Sequence, residues 1–212
     1  MGYIVLGIIV AVFLIAVIIY YSKKSGTDNN NKNNDGSGFI DRIFMPGYKR
    51  AGIRGEEIAT SAIESVLRDG DYLFTNVNVE FEGRPAELDN VIVNQFGVYI
   101  IEVKNYSGYI IGNEEVFEWQ KYKTTDAGNT YEGSVKNPIR QVRRQIDILA
   151  NYLRSQSVKV WVKGYVYLLQ DNSPVESECI LHGIDDIDQV IHTKDRKCLT
   201  PDVIDKIIML LS

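Results

Sequence analysis

Residues 87–104 read ELDNVIVNQFGVYIIEVK, and this stretch decides the fold. Two runs that are rich in β-branched residues, residues 87–94 and 97–104, are separated by Gln95-Phe96, which predicts two antiparallel strands joined by a two-residue turn. The second run begins with apolar residues on both faces. That pattern is typical of a strand in the centre of a sheet, so we place this hairpin at the middle of the fold.

The turn also fixes which residues of the two strands face each other. It pairs Asn94 with Gly97, and in that register Asp89 lies opposite Glu102, with Cβ atoms roughly 5 Å apart. Two carboxylates this close repel each other unless one takes a proton or a cation lies between them. A divalent cation that prefers oxygen ligands would remove the repulsion. The alternative is an ion pair between Glu102 and Lys104, which share a face of the strand, with Asp89 as a solvated group at the strand end.

Outside the hairpin, apolar periodicity predicts an α/β domain. Helices are predicted over residues 52–69, 137–154 and 201–211. Further strands are predicted over residues 72–82, 109–111, 116–121, 158–169 and 179–182. Turn-forming residues predict a loop over residues 124–136. This order of elements predicts a mixed central β-sheet flanked by helices.

The N-terminal segment predicts a membrane anchor. Residues 3–21 contain no charged residue and no proline. As a helix they rise about 28 Å, close to the roughly 30 Å hydrocarbon core of a bilayer. A cleaved signal peptide fits less well, because no basic residue precedes the apolar run. Lys23 and Lys24 follow it, so the positive-inside rule predicts a single-pass cell-membrane protein whose domain is cytoplasmic. The anchor is residues 1–24, and it contacts the lipid bilayer through residues 3–21.

The rest of the chain divides into a linker and one domain. Residues 25–38, SGTDNNNKNNDGSG, contain no apolar residue and are predicted to be a flexible linker. Residues 39–212 then form one domain, since 45% hydrophobic and 24% charged residues are a globular composition. A formal net charge of −5 excludes a protein that coats nucleic acid with its whole surface, so phosphate contacts must come from a local patch. Two cysteines exclude a disulfide scaffold.

A local basic patch lies on the predicted helix over residues 137–154. It consists of Arg140, Arg143 and Arg144, which follow one another within about one helical turn. Two interpretations stay open. The patch contacts nucleic-acid phosphates, or it is an ordinary solvated helix face on which Arg143 pairs with Asp147.

Several short motifs occur in one order along the chain. They are GIRGEE at residues 52–57, ELDNVIV at 87–93, GVYIIEVKN at 97–105, Gly108, Trp119 and NPIRQV at 137–142. With these motifs residues 51–154 resemble the nuclease-related domain (NERD) proteins of the PD-(D/E)XK nuclease superfamily. The chain departs from the family pattern at Asn90, where a histidine is common, and from the superfamily pattern at Leu88, where a proline is common. The resemblance implies a restriction-endonuclease-like fold after the single transmembrane helix.

The resemblance also implies roles for individual residues. Asp89 and Glu102 would hold Mg²⁺ or Mn²⁺, and Glu56 would add a third carboxylate as a metal ligand. Lys104 would orient or deprotonate the attacking water and stabilise charge on the phosphate, and Gln141 would contact the metal-bound water or the phosphate. Glu102, Lys104 and Gln141 are thus the implied catalytic residues.

The resulting hypothesis is a membrane-anchored, magnesium-dependent nuclease that hydrolyses phosphodiester bonds in DNA. The alternative is a non-catalytic module that keeps the nuclease fold and binds nucleic acid or another protein. The presence of all five implied site residues favours the first. The acidic net charge leaves the second open.

Overall fold

The computed structural model describes residues 47–125, 127–170, 172–194 and 197–212, with side chains from residue 54 onward. The predicted anchor, residues 1–24, and the predicted linker, residues 25–38, lie outside the described residues. Within the described ranges, no helix is both long enough and apolar enough to cross a membrane.

Along the described chain one helix is followed by six strands, a second helix, two further strands and two final helices. The helices are α1 (Gly47–Glu64), α2 (Pro138–Ser155), α3 (Ile184–His192) and α4 (Pro201–Leu211). The strands are β1 (Tyr72–Phe81), β2 (Arg84–Asn94), β3 (Gly97–Lys104), β4 (Tyr109–Ile111), β5 (Glu118–Thr124), β6 (Thr130–Lys136), β7 (Val162–Leu168) and β8 (Ile180–Leu181).

The strands form two sheets. The larger sheet has the order β1-β2-β3-β7-β8, and the smaller has the order β4-β5-β6. In the larger sheet β1, β2 and β3 pair antiparallel, whereas β3, β7 and β8 pair parallel. The predicted α/β fold with a mixed central sheet flanked by helices is therefore confirmed.

The hairpin formed by β2 and β3 lies in the middle of the larger sheet. β2 and β3 pair from Asn94 opposite Gly97 to Asn90 opposite Ile101, which is the register that the two-residue turn predicts. The side chain of Asn94 accepts a hydrogen bond from the Phe96 amide at 2.9 Å and so holds the turn. Every residue of β3 except Lys104 is buried. The prediction of a central strand is confirmed.

Side chains of β3 alternate between two cores, one on each face of the sheet. The core on the side of α2 includes Val98, Ile100, Val142 and Leu149. The opposite core includes Tyr99, Ile101, Ile63 of α1 and Ile187 of α3. Because successive strand residues point to opposite faces, Glu102 falls on the α2 side, two residues after Ile100. The carboxylate of Glu102 therefore lies on the face of the sheet that packs against helix α2.

Helix α2 lies very close to the sheet because Gly164 of β7 has no side chain. A Cβ atom built on Gly164 would lie 2.7 Å from Cγ2 of Val142 and 2.9 Å from Cδ1 of Ile146. Contacts between real Cβ atoms and carbon atoms are longer than this, so any larger residue would push the helix outward. The glycine therefore sets the distance between α2 and the strands that carry the polar side chains described below.

Some predicted elements are wrong. The predicted loop over residues 124–136 contains strand β6, which pairs along its length with β5. β6 is exposed at nearly every position, so its sequence lacks the apolar alternation that marks a half-buried strand. The sequence interpretation also misses α3, whose N-cap residue, Gly183, makes no side-chain capping hydrogen bond. Helix α1 spans Gly47–Glu64 instead of the predicted residues 52–69.

Candidate active site

Glu102, near the C-terminal end of β3, is a buried carboxylate with hydrogen bonds on both oxygens. Only 1% of the residue is exposed. Its Oε1 accepts from Lys104 Nζ at 2.5 Å and from Gln141 Nε2 at 2.5 Å, and its Oε2 accepts from Gln145 Nε2 at 2.6 Å. A buried charge is tolerated only when it is paired and hydrogen-bonded, and this one is both. The ion pair between Glu102 and Lys104, which the sequence offers as the alternative to a metal site, is present, and the side chain of Gln141 donates to the same oxygen.

Asp89 lies at the end of the pairing between β2 and β3 and in a one-residue gap in the pairing between β2 and β1. The pairing between β2 and β3 ends at Asn90. In β1, Thr75 and Val77 are paired with β2, but Asn76 between them is not. Asn76, between them, has a left-handed backbone with φ of 53°. The carboxylate of Asp89 uses this break: its Oδ2 accepts a hydrogen bond from the Val103 amide at 2.8 Å. The pairing between β2 and β3 ends before Val103, and the carboxylate of Asp89 accepts the hydrogen bond of the Val103 amide in its place.

The environment of Asp89 favours its protonated form. Burial, and then the neighbouring Glu102 carboxylate, raises the pKa of Asp89 to about 7. The hydrogen bond from Val103 and the charge of Lys104 oppose this rise, while Glu56 adds to it. Two adjacent carboxylates in a buried setting cannot both ionise cheaply, so either a proton or a cation relieves them.

Glu56 reaches the same region because α1 packs tightly against the chain that follows β3. A Cβ atom on Gly55 would lie 2.8 Å from Cβ of Asn105 and 2.9 Å from its Nδ2. The helix can approach this closely only with a glycine at that position. In the part of the chain that the structure describes, no three His, Cys, Asp or Glu side chains are grouped closely enough to hold a metal ion. Glu56 acts on Asp89 through its charge, and its role as a ligand stays a prediction.

Gln145 belongs to the site and is missed by the sequence interpretation. Its Nε2 also donates to the backbone oxygen of Glu87 at 2.9 Å, while its Oε1 is buried without a hydrogen-bond partner among the described residues. If the side-chain amide of Gln145 were turned around, its oxygen would face two other acceptors, the Glu87 oxygen and Glu102 Oε2. The two hydrogen bonds therefore determine which end of the amide carries the nitrogen. The available signal was spacing, since Gln141 and Gln145 are four residues apart and lie on the same side of a helix.

These groups suit a hard divalent cation. The carboxylates of Asp89 and Glu102 supply oxygen ligands, which Mg²⁺ and Mn²⁺ prefer, and the amide oxygen of Gln145 is an unused hydrogen-bond acceptor beside them. The buried oxygen without a partner is the feature that a well-packed structural core would avoid. The residues present therefore fit the kind of metal that the sequence resemblance implies.

Comparisons with known proteins identify the family of the chain. Residues 51–169, more than half of the chain, match the family model described as nuclease-related domain. The chain belongs to the nuclease-related domain family. It is 25% identical over 157 residues to an uncharacterized protein of Bacillus anthracis, a match that covers 73% of this chain and 63% of the relative. No solved structure matches the chain.

The N-terminus of helix α2 is fixed by one side chain of the nuclease-related domain. Asn137 is the predicted N-cap, and its Oδ1 accepts from the Ile139 amide at 2.9 Å. Its Nδ2 donates to backbone oxygens of the preceding loop, at 2.7 Å to Val116 and 3.0 Å to Asn113. Because Gln141 lies one turn further along, this cap determines where its amide meets Glu102.

The three arginines of the predicted patch are exposed on α2, but each has a partner within the nuclease-related domain. Arg140 stacks on a ring and donates to a backbone oxygen, Arg143 forms an ion pair, and Arg144 donates to a backbone oxygen. The partners are the Phe117 ring and the Glu115 oxygen for Arg140, Glu114 for Arg143, and the Pro85 oxygen for Arg144. Contact between these arginines and nucleic acid stays a prediction.

The predicted pairing of Arg143 with Asp147 is wrong. Asp147 instead accepts a hydrogen bond from Arg84 at 2.8 Å, across to the start of β2. Arg143 turns toward Glu114, whose other oxygen accepts from Ser177. Both partners of Glu114 lower the pKa of its carboxyl, the hydroxyl of Ser177 first.

A second group that sequence interpretation misses is Tyr106, two residues after β3. Burial, and then the charge of Glu102, raises the pKa of the Tyr106 phenol. The phenol therefore stays protonated at neutral pH beside the carboxylate cluster. No pattern in the sequence marks this residue, because its proximity to Glu102 depends on how the chain turns after the strand.

Proposed function

We propose that this nuclease-related domain is a metal-dependent phosphodiesterase that hydrolyses DNA in a restriction-endonuclease-like fold. The observation that carries the proposal is the convergence of Asp89, Glu102, Lys104 and Gln141 at the end of the central strand, with Glu102 buried and hydrogen-bonded on both oxygens. Titratable groups whose pKa is shifted by burial together with a specific charged neighbour cluster at functional sites, as Asp89 is beside Glu102.

The carboxylates of Asp89 and Glu102 are the residues that would hold Mg²⁺ or Mn²⁺, with Glu56 as a third carboxylate. When bound, such a cation lowers the pKa of a coordinated water and neutralises charge that develops on a phosphate. The raised pKa of Asp89 supports this assignment, because burial and then the charge of Glu102 disfavour its ionised carboxylate, and a bound cation would compensate for both.

Lys104 and Gln141 supply donors next to these carboxylates. Lys104 is 19% exposed at its side chain, so its ammonium lies between the buried Glu102 and solvent. An ammonium has three donors, and the hydrogen bond to Glu102 leaves two for an attacking water or a phosphate oxygen. The Gln141 amide approaches Glu102 Oε1 from the helix side and can orient the same water or phosphate.

Substrate contact would extend along helix α2. The side chains of Arg140, Arg143 and Arg144 lie on either side of Gln141 in the sequence at exposed positions, where they could exchange their present partners for phosphates. The anchor over residues 3–21 would hold this activity at the cytoplasmic face of the cell membrane. Its support is the apolar sequence alone.

The test is incubation of the full-length protein with plasmid and linear DNA in Mg²⁺, in Mn²⁺ and in EDTA. We expect cleavage in at least one of the two metals and none in EDTA. The matched control is Lys104→Ala, which should bind metal but not cleave. If wild-type protein binds DNA and cleaves in neither metal, the non-catalytic binding module is the better assignment.

A further inference from the structure

Gln145 is one of the most buried polar residues in the described part of the chain, and its amide is only half used. The residue is 2% exposed and lies on α2, one turn after Gln141. Its Nε2 donates twice, to Glu102 Oε2 at 2.6 Å and to the Glu87 backbone oxygen at 2.9 Å. Its Oε1 accepts from no described residue.

The hydrogen bonds to Glu102 are divided between its two oxygens. Lys104 and Gln141 both donate to Oε1, and the donor to Oε2 among the described residues is Gln145. Without Gln145, the second oxygen would lose this hydrogen bond inside a buried pocket, and the carboxylate could rotate about its last bond. Gln145 therefore holds the second oxygen of Glu102, while Lys104 and Gln141 hold the first.

We propose that Gln145 is a positioning residue of the metal site, a role that rests on the function proposed above. Its Nε2 orients the Glu102 carboxylate beside Asp89. Its Oε1, which the geometry of an amide keeps within about 5 Å of Glu102 Oε2, supplies an uncharged acceptor for a water held by the cation. The buried oxygen then has a partner in the metal-bound protein, which accounts for its lack of one among the protein groups.

A simpler interpretation is that Gln145 only fastens helix α2 to strand β2 through the Glu87 oxygen. It explains one of the two hydrogen bonds of Nε2. It explains neither the hydrogen bond to Glu102 nor the burial of an acceptor without a donor, which is unfavourable in a purely structural position. The two interpretations differ in whether Gln145 affects metal affinity.

The experiment measures Mn²⁺ binding to the full-length protein by titration calorimetry, together with thermal melting in EDTA and in Mn²⁺. Gln145→Met keeps the length of the side chain and removes both polar atoms. We expect Mn²⁺ affinity to fall about 10- to 100-fold, as is usual when a residue that orients a ligand is lost. The matched control is Tyr152→Phe, which removes a hydrogen bond from the same helix to the Leu210 oxygen. It should lower the melting temperature and leave Mn²⁺ affinity unchanged.

Gln145→Glu is the second variant and covers the case in which Gln145→Met fails to fold. A carboxylate at this position would face Glu102 without a donor, so the protein should melt lower than wild type in EDTA. Mn²⁺ should raise its melting temperature by more than it raises that of wild type, because a bound cation would offset the repulsion between the added carboxylate and Glu102. A purely structural Gln145 predicts the same loss of melting temperature in EDTA and in Mn²⁺.

The outcomes separate this inference from the proposed function. If wild type binds Mn²⁺, Asp89→Asn does not, and Gln145→Met binds as well as wild type, the metal site stands and the role of Gln145 is refuted. A wild type that binds no Mn²⁺ refutes both. Weaker binding in Gln145→Met with unchanged binding in Tyr152→Phe supports both.

Discussion

Replacing Asp89 with Asn should make the metal-free protein more stable at high pH and change little at low pH. Asparagine keeps an oxygen that can accept the hydrogen bond from the Val103 amide, so the substitution removes the charge while it keeps the contact. In the folded protein, burial and Glu102 raise the pKa of Asp89 from 3.8 to about 7. Ionisation of this residue therefore lowers the free energy of unfolding of the wild-type protein, whereas the variant has no charge to form.

The size of the effect follows from that shift. Below about pH 4 the carboxyl is protonated in both the folded and the unfolded chain, and it contributes no pH dependence. As the pH rises toward 7 the unfolded chain releases the proton and the folded chain retains it, so the free energy of unfolding decreases. At about 1.36 kcal/mol per pH unit, wild type should lose about 3 kcal/mol relative to Asp89→Asn between about pH 5 and pH 8.

The assay is urea unfolding of the full-length protein in EDTA at these two pH values, followed by the fluorescence of the fully buried Trp119. Saturating Mn²⁺ at the higher pH should reverse the order, because wild type gains binding free energy and the variant does not. Equal stability differences between the two proteins at both pH values, with no response of wild type to Mn²⁺, would refute the account of Asp89.

Three further predictions address other parts of the protein. Lys104→Ala should abolish cleavage of DNA while leaving Mn²⁺ affinity, measured by calorimetry, within a few-fold of wild type; a matching loss of affinity would make Lys104 part of the metal site. Replacing both Arg140 and Arg144 with Ala should weaken DNA binding about equally for unrelated sequences. The slope of log affinity against log salt concentration, measured by fluorescence anisotropy, should fall by the equivalent of up to about two phosphate contacts. If this slope does not change, the arginines of α2 do not contact phosphates and form only a solvated helix face. Deleting residues 1–24 should give a soluble protein with an unchanged melting temperature, because the linker sequence offers no apolar surface; recovery in the membrane pellet after fractionation would contradict this.

The central hairpin could be predicted from the sequence because local chemistry determines it. Gln95-Phe96 allows only a short turn between the two apolar runs, and a short turn fixes the register of every pair that follows. The start of α2 was equally local, since Asn137 and Pro138 have the preferred roles of N-cap and first helical residue. These are the positions where a few neighbouring residues specify the backbone.

The elements that were missed depend on contacts between distant residues. Strand β6 is held by pairing with β5 and buries little of its own surface, so hydrophobic periodicity does not reveal it. The turn at Glu82-Gly83 has positive φ at both residues, but glutamate is not among the residues that usually signal such a turn. Strand β2 consequently begins at Arg84, earlier than predicted.

The candidate site divides in the same way. The face shared by Glu102 and Lys104 follows from strand alternation, and Asp89 follows from the register. Gln145 could not be assigned, because its importance depends on how closely α2 packs on β7, and that distance is set by Gly164. The sequence contains both residues but does not show that they meet across the sheet.

The capping residue Asn137 gives the domain a mechanical link between its two sheets. The same side chain closes the first turn of α2 and holds the loop between β4 and β5 through the oxygens of Asn113 and Val116. A force or ligand that displaced the small sheet would pull on this amide and loosen the helix start, one turn before Gln141. Strain applied to the small sheet would in this way reach the helix that contacts Glu102, with the contacts of Arg140 to Glu115 and of Arg143 to Glu114 as parallel links.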